Sequence, residues 1–383
     1  MLVYTISIYI CFFLKILNKK KLKNITLVFL TLLAGLRYNV GADYLSYRLI
    51  FNRIKLGEKI RTEPLYWLLN KISFNYTFLL TLVAFLSLYL VFKFINYLDK
   101  QNFYFILFGY FSIYYLQWNL STIRQGIAIS FFLYSSIFLF EKKYKKYLFI
   151  ILIGCFFHKS LVLAFLLYPI LKWDIKEKYL LFMFIFFKLF ENEIFMLLEN
   201  FILYYKISYS SYFLGYVKNQ LVGLGITKTY LTRIFIYIFI VVLDRKKNIK
   251  DYKIHVIRKI VCFLVGLNLI FQNFSIAIRA LKFYEIFVIL SCFYLVKYCF
   301  KNLLFLKCAQ VLIMLITTIY YFYYINAGPM YYPYESILSI KEYENKSIRL
   351  HLLKYEKTKA IFEKEGYTKK TIEEFYRMRE VID

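Results

Sequence analysis

Residues 120–140 read LSTIRQGIAISFFLYSSIFLF, and the charged stretch EKKYKK follows directly at 141–146. The apolar run is about as long as the roughly 20 residues that a helix needs to cross a hydrocarbon core. Its second half, FFLYSSIFLF, does not alternate between apolar and polar residues, which argues against a strand of a membrane barrel. Because a helix satisfies its own backbone groups in lipid, the stretch predicts a transmembrane helix.

Similar apolar blocks recur along the chain, which has 383 residues and is 61% hydrophobic. They lie at 2–17, 24–38, 76–97, 103–118, 120–140, 147–170, 179–198, 229–243, 255–277, 281–300 and 303–325, with a weaker aromatic stretch at 194–217. The pattern predicts an all-α, polytopic integral membrane bundle of about 10–12 transmembrane helices. We expect residues 1–340 to form this domain, with an outer loop at 37–75, and residues 341–383 to form a charged, helical tail.

Basic residues outnumber acidic ones, and the formal net charge is +28. The tail carries 11 Lys and Arg against 9 Asp and Glu, so the excess lies in the membrane body. No basic segment outside the tail is free of the membrane, which argues against nucleic acid as a partner. Loop topology explains much of the excess, and the remainder is able to attract anionic lipid or a polyanionic substrate. The six cysteines show no metal-ligand spacing, so we expect neither a metal nor another cofactor.

The loop charges also orient the helices, because cytoplasmic loops collect Lys and Arg. With the loop at 18–23 on the cytoplasmic side, that side holds 21 basic residues and the other holds 13, including those of KWDIKEK at 172–178. The N-terminus is then outside, and 147–170 crosses the membrane outward. A second crossing within 194–217 is needed to return the basic stretch 244–253 to the cytoplasmic side. We expect the protein in the cytoplasmic (inner) membrane with its tail outside.

Polar residues gather at the predicted outer face, and charges inside a membrane are candidate site residues because they are costly there. The loop RYNVGADYLSYRLIF (37–51) is the first such group and supplies Arg37, Asp43, Tyr44, Tyr47 and Arg48. Its glycine permits a turn, after which Asp43 is placed to cap a short helix. An interfacial amphipathic helix with Asp43 as a plain cap explains the same pattern.

The second and third groups lie in TEPLYWLLNKIS (62–73) and NLSTIRQGIAIS (119–130). Pro64 fits the first turn of a helix that Thr62 or Glu63 caps. Arg124 and Gln125 lie about one turn inside the outer end of a crossing, beside small residues. Arg124 either binds a ligand there or snorkels to the membrane surface.

The last two groups are FFHKSLVLAF (156–165) and NFSIAIRALKFYEIF (273–287). His158 falls near mid-membrane, either as a buried hydrogen-bonding group or as a general acid or base. Arg279 opens a crossing at the outer surface, with Tyr284 about a turn inside. Arginine forks match phosphate oxygens and keep their charge, so outward arginines from distant segments predict a diphosphate site at the membrane–water boundary.

These segments resemble, in order, those of the EpsG family of Wzy-type polysaccharide polymerases. RYNVGADYLSYRLIF is similar to the family's first outer-loop signature, and EPLYWLLNKIS (63–73) is similar to the helix that follows it. STIRQGIAISFFLY (121–134) resembles its Arg-Gln-x-x-Ala segment, and FFHKSLVLAFLLYPI (156–170) resembles its His-x-Ser segment. IRALKFYEIF (278–287) and YYPYES (331–336) resemble its late segments, so the resemblance covers most of residues 36–335.

The resemblance implies a metal-independent glycosyltransferase that joins oligosaccharide repeat units carried on undecaprenyl diphosphate at the outer face of the membrane. It implies that Asp43, Glu63 or His158 deprotonates the acceptor hydroxyl. The residues that it implies for binding the diphosphate and the sugars are Arg37, Tyr44, Tyr47, Arg48, Arg124, Gln125, Arg279 and Tyr284. The implied partners are the lipid bilayer and the lipid-linked oligosaccharide, with a flippase and a chain-length regulator as further candidates.

Three other membrane functions remain open at this point, as does a purely structural membrane protein, although that would not need so many arginines at helix ends. A transporter or flippase of the same lipid-linked sugars often shows internal repeats, and none is evident here. An acyltransferase favours a cytoplasmic site for its thioester donor, whereas the polar residues gather outside. A glycan ligase differs from a polymerase only in its acceptor.

Overall fold

The computed structural model of the protein describes residues 2–17, 21–190, 228–247, 249–271, 275–327, 330–331 and 334–338, together with isolated residues at 193, 196–197 and 200. In chain order its α-helices are α1 (Leu2–Leu17), α2 (Leu22–Gly35), α3 (Tyr44–Lys55), α4 (Pro64–Ile72), α5 (Tyr76–Leu98), α6 (Phe103–Tyr110), α7 (Ile123–Phe140), α8 (Tyr144–Cys155), α9 (Leu167–Lys172), α10 (Glu177–Leu189), α11 (Lys228–Lys247), α12 (Tyr252–Phe271), α13 (Ser275–Cys299) and α14 (Leu303–Ala327). A π-helical segment (Phe111–Ser121) continues α6, and a 3₁₀ helix (Lys159–Leu166) precedes α9. Two short strands, β1 (Arg37–Tyr38) and β2 (Glu335–Ser336), pair antiparallel.

The chain is an all-α helical membrane bundle, as the apolar blocks predict. Among the described helices, three are long and apolar enough to cross a membrane alone: Tyr76–Leu98, Ile123–Phe140 and Leu303–Asn326. Only 11% of the most apolar window of α14 is buried inside the protein. Exposed side chains such as Ile319 (71%) and Tyr323 (70%) form a larger apolar surface than water tolerates. The total of ten to twelve crossings and the predicted tail reach beyond the described residues and stay predictions.

The chain divides into two compact units, and the first comprises Met1–Tyr134, Ile153–Lys159 and Asn302–Asp383. Its outer loop is fastened by the segment 330–337. The strand pair sets Arg37 opposite Ser336. Tyr331 accepts a hydrogen bond from the Tyr4 hydroxyl at its carbonyl (2.6 Å), and its own hydroxyl lies 2.8 Å from Ser121 Oγ. Residues close to the C-terminal end of the described chain therefore hold the loop 37–51, which contains the first group of candidate residues, in place.

Gly41 is required where this loop crosses the end of the π-helical segment. Its φ of +103° lies in the region that favours glycine, and a Cβ there would lie 1.9 Å from the carbonyl oxygen of Leu120. Its N–H donates to the Met330 carbonyl at 2.8 Å. The predicted turn at Gly41 is thus present, and the close backbone approach excludes any larger residue.

The second unit comprises Ser135–Leu152 and Ser160–Lys301, and α12 lies at its centre against α10, α11 and α13. The ring of Phe184 on α10 fills the space beside Gly266 of α12, where a Cβ would lie 1.9 Å from Phe184 Cδ2. This contact allows the two helices to approach closely.

The prediction that 147–170 forms one outward crossing is wrong. After α8 the chain turns at residues 156–158 and returns through the 3₁₀ helix and α9. The Tyr147 hydroxyl donates to the Ala164 carbonyl (2.6 Å), and the Tyr144 hydroxyl donates to the Leu171 carbonyl (3.0 Å). We call residues 144–172 the re-entrant hairpin. With 12 residues, α8 is about 18 Å long and cannot span a core of about 30 Å.

The hairpin also corrects the predicted side of KWDIKEK (172–178). Asp174 accepts hydrogen bonds from His255 Nε2 (2.8 Å) and from Lys259, both near the start of α12, and Lys142 lies 4.5 Å from the ring centroid of Tyr252. The segments 141–146, 172–178 and 244–259 therefore share one end of the second unit. The predicted crossing within 194–217 lies outside the described residues. With 172–178 counted on the cytoplasmic side, the loops hold 24 basic residues on that side and 10 on the other.

We expect Lys176→Cys, in a cysteine-free background, to be protected from a membrane-impermeant maleimide in intact cells. Lys145→Cys should behave in the same way, because both lie at one end of the second unit. Lys59→Cys is the matched exposed control, because the loop charges predict that its loop lies outside, and it should react before permeabilisation. Labelling of Lys176→Cys to the same extent as Lys59→Cys would contradict the re-entrant hairpin.

Candidate functional site

Glu63 is the centre of a polar group in the first unit. Pro64 occupies the first position of α4, as predicted, but the Glu63 side chain makes no capping hydrogen bond to that helix. Its Oε2 instead accepts a hydrogen bond from Arg124 Nη1 at 2.9 Å, and its Oε1 lies 3.2 Å from His158 Nδ1. The residue is 7% exposed. One buried carboxylate thus joins the outer loop, the start of α7 and the tip of the re-entrant hairpin.

The hairpin turn places His158 at the start of α4. The Leu65 N–H donates to the Phe156 carbonyl at 3.1 Å, which fixes the turn against the first residues of α4. The His158 side chain is 26% exposed, and no hydrogen bond to its Nε2 is found within the described part of the chain. A proton on Nδ1 that is donated to Glu63 leaves Nε2 as an acceptor. The imidazole is therefore oriented by the carboxylate with its second nitrogen available.

The charge of Glu63 is settled by its two partners. Burial raises the pKa of this carboxyl group, but the hydrogen bond with His158 and the positive charge of Arg124 outweigh burial and lower the pKa to about 2. Glu63 is therefore ionised at physiological pH. A carboxylate with so low a pKa is a weak proton acceptor, because a general base works best with a pKa near the operating pH.

Arg124 is the second residue of α7, and it contacts two aromatic rings as well as Glu63. Its guanidinium carbon lies 5.3 Å from the ring centroid of Tyr47 and 5.7 Å from that of Tyr66. Its Nη1 is also 3.4 Å from Thr62 Oγ1. Its Nε is buried with no hydrogen-bond partner among the described residues, while 27% of the side chain is exposed. The arginine is fixed in position but keeps unused donor capacity.

Tyr44 and Tyr47 form part of a packed tyrosine cluster. The ring of Tyr44 lies 5.2 Å from that of Tyr76, and the ring of Tyr47 lies 5.9 Å from that of Tyr66. Tyr44 and Tyr47 are each 4% exposed, and burial raises the pKa of each phenol to about 12. Both stay neutral and present no ring face to a sugar. Their position supports Arg124 and the outer loop.

Arg37 is buried within its own turn. It is 1% exposed, its Nε donates to the Val40 carbonyl at 3.2 Å, and its Nη1 donates to the Ala34 carbonyl. Its guanidinium also lies 5.9 Å from the ring centroid of Tyr44. These contacts stabilise the turn after α2, so the structure does not present Arg37 to a ligand.

The other predicted residues of the first unit lie near this group. Asp43 directly precedes α3, as expected, but makes no side-chain cap bond, and its charge raises the pKa of Tyr47. Arg48, one turn after Tyr44 on α3, is partly exposed, and Gln125, next to Arg124, is 7% exposed. Thr62 and Tyr66 were not predicted as site residues, although their positions beside Glu63 in the sequence were a usable signal.

The two late candidates lie on α13. The side chain of Arg279 lies outside the described residues. Tyr284 belongs to the second unit, is 1% exposed, and donates a hydrogen bond from its hydroxyl to the Leu163 carbonyl at 2.7 Å. That bond ties α13 to the returning arm of the re-entrant hairpin, and Tyr284 is not one of the residues in contact with Glu63.

Known proteins resemble this chain at the level of a sequence family. No curated protein and no solved structure matches the chain. The sequence model of the EpsG family matches residues 20–336, a range that includes Glu63, Arg124 and His158. The chain therefore belongs to the EpsG family, a family of Wzy-type polysaccharide polymerases and exopolysaccharide biosynthesis proteins.

Proposed function

We propose that this membrane protein polymerises undecaprenyl-diphosphate-linked oligosaccharide repeat units into a surface polysaccharide at the outer face of the cytoplasmic membrane. The family supports a polysaccharide polymerase type of role. The single observation that carries the finer proposal is the Glu63 carboxylate held between His158 and Arg124. This arrangement offers a proton acceptor and an anion-binding side chain next to each other. A flippase and a chain-length regulator are proposed partners.

In this proposal His158 is the general base. The acceptor sugar hydroxyl gives its proton to His158 Nε2, and its oxygen forms a bond to the anomeric carbon of the donor. The bond from that carbon to the diphosphate oxygen breaks, and the electron pair leaves with the lipid diphosphate. Glu63 is a positioning residue, because its carboxylate orients the imidazole and stabilises the imidazolium that forms. Asp43, partly exposed near Tyr47, is the alternative base.

Arg124 binds the leaving diphosphate. Its contacts with Glu63, Tyr47 and Tyr66 fix the guanidinium before the substrate arrives, so little reorganisation is needed as charge develops on the leaving oxygen. The buried Nε without a partner is a donor that a phosphate oxygen satisfies. Arg48 is proposed to hold the distal part of the diphosphate, and Gln125 to support Arg124. The role expected for Arg279 stays a prediction, because its side chain lies outside the described residues.

We expect His158→Gln to lower polymer formation from a lipid-linked oligosaccharide by about a hundredfold or more, because the general base is lost. Glutamine preserves much of the volume and a hydrogen bond to Glu63, so the protein should accumulate normally. His255→Gln is the matched control, since that histidine is also paired with a carboxylate, Asp174, but lies in the second unit. A normal polymer length and a normal polymerisation rate in the His158→Gln variant would exclude His158 as the general base.

Arg124→Lys should lower the polymerisation rate by about a hundredfold, because an ammonium keeps the charge but cannot offer the fork of donors. Arg53→Lys, at an exposed pair with Glu58, is the control and should retain activity. Rates in purified protein with saturating substrate measure this effect. Equal rates for the two variants would remove Arg124 from the mechanism.

Glu63 also makes the stability of the protein depend on pH in the acidic range. Its pKa of about 2 in the folded state lies below the ordinary value of 4.5, so its contribution is complete above about pH 4.5 and is lost as the pH falls toward 2. At pH 7 we expect Glu63→Gln to unfold at a temperature about 3 °C or more below the wild type. The difference should shrink below pH 4.5 in thermal unfolding scans in detergent.

Glu58→Gln is the control for this pH series, because the exposed Glu58–Arg53 pair should add almost nothing to stability. A Glu63→Gln variant whose unfolding temperature follows that of Glu58→Gln at every pH would show that the buried carboxylate is not held as described.

A further inference from the structure

A second group of charged side chains lies inside the second unit, where α11, α12 and α13 meet. Arg233 of α11 is 5% exposed and donates through Nη1 to the amide oxygen of Asn268 on α12. Its Nη2 lies 3.4 Å from Glu285 Oε1 on α13, and Lys282 Nζ lies 2.6 Å from Glu285 Oε2. Arg233 is near the start of α11 and Asn268 near the end of α12, away from the end that holds Asp174 and His255.

These residues are incompletely satisfied. Arg233 Nε and Asn268 Nδ2 are both buried and have no hydrogen-bond partner within the part of the chain that is described. Each such donor costs about 1–3 kcal/mol if nothing accepts its hydrogen bond. Arg233 and Lys282 together carry two positive charges against the single carboxylate of Glu285. An ion pair that only joined the three helices would need neither the excess positive charge nor the two idle donors.

A cavity of about 240 Å³ opens beside Arg233 and Glu285. The rest of its lining is Thr232 and the aliphatic residues Ile236, Leu264, Val288 and Ile289. The site therefore combines the Arg233–Glu285 pair, whose carboxylate is also paired with Lys282, with an apolar wall. A ligand that matches both parts carries acceptor oxygens with negative charge and a hydrocarbon chain next to them.

We propose that this cavity binds the phosphate head of an anionic membrane lipid. The phosphate oxygens accept from Arg233, which lines the cavity, and the first carbons of the lipid chain lie on Ile236, Leu264 and Val288. A polyprenyl phosphate and an anionic phospholipid share this chemistry. The inference rests on the second unit alone and does not depend on the proposed polymerase mechanism.

The test is thermal unfolding of the purified full chain in detergent, titrated with undecaprenyl phosphate or with dioleoyl phosphatidylglycerol. Undecaprenol and dioleoylglycerol, which lack the phosphate, serve as lipid controls and should give no stabilisation. We expect at least one phosphate lipid to raise the unfolding temperature. Arg233→Gln should weaken its apparent affinity about ten- to a hundredfold, as expected for the loss of a charge-assisted hydrogen bond. Arg245→Gln, which removes the same charge from the exposed far end of α11, should bind like the wild type.

Ile236→Trp is the second variant, because it fills the cavity and leaves the Arg233–Glu285 pair intact. It should abolish the stabilisation even if Arg233→Gln folds poorly. A response to undecaprenyl phosphate alone identifies the site as one for a prenyl carrier, and a response to phosphatidylglycerol alone identifies it as one for bulk anionic lipid. No stabilisation by either lipid, or wild-type binding in the Ile236→Trp variant, would overturn the proposal and leave the cluster as a helix-joining ion pair.

Discussion

The contacts of Glu63 with Arg124 and His158 are the constraint that holds the candidate site of the first unit together. A buried carboxylate is tolerated only when its charge is matched and its oxygens are hydrogen-bonded. Arg124 supplies the charge at 2.9 Å, and His158 approaches the other oxygen at 3.2 Å. The two partners are 61 and 95 residues away from Glu63 in the chain. The contacts of this one carboxylate therefore stabilise the outer loop, α7 and the hairpin tip in one arrangement.

The same constraint explains the re-entrant hairpin. If residues 147–170 formed one crossing, His158 would lie in the middle of a continuous helix. Because the chain turns at residues 156–158, the imidazole is carried by a tip that the Leu65–Phe156 hydrogen bond fastens to α4. The return of the chain then sets Lys172 and Asp174 beside the other basic loops of the second unit. Charge distribution and site geometry thus favour one topology for independent physical reasons.

The sequence predicted those parts of the fold that depend on local pattern. Apolar block lengths gave the helices, and Gly41 and Pro64 marked a turn and a helix start, because each residue type acts on its own backbone. The break at residues 156–158 contains neither glycine nor proline, so an apolar run hid it. Glu63, Arg124 and His158 were predicted separately, but their contact is long-range and leaves no local pattern. Arg233 went unnoticed because it lies at the edge of an ordinary apolar block.

The arginines show why a count of positive charges does not locate an anion site. Arg37 donates hydrogen bonds through Nε and Nη1 to two carbonyls of its own turn. Because the residue is 1% exposed, it has no route to a ligand. Arg124 shares its charge with Glu63 but keeps a buried donor and remains 27% exposed. Arg233 is almost wholly buried, yet a cavity lies beside it. All three carry the same guanidinium charge, and each keeps one buried donor without a partner among the described residues, Nη2 in Arg37 and Nε in Arg124 and Arg233. What separates their roles is the access and the space next to them. Since an idle buried donor costs free energy, the two arginines that combine it with access are the ones whose surroundings favour binding an anion.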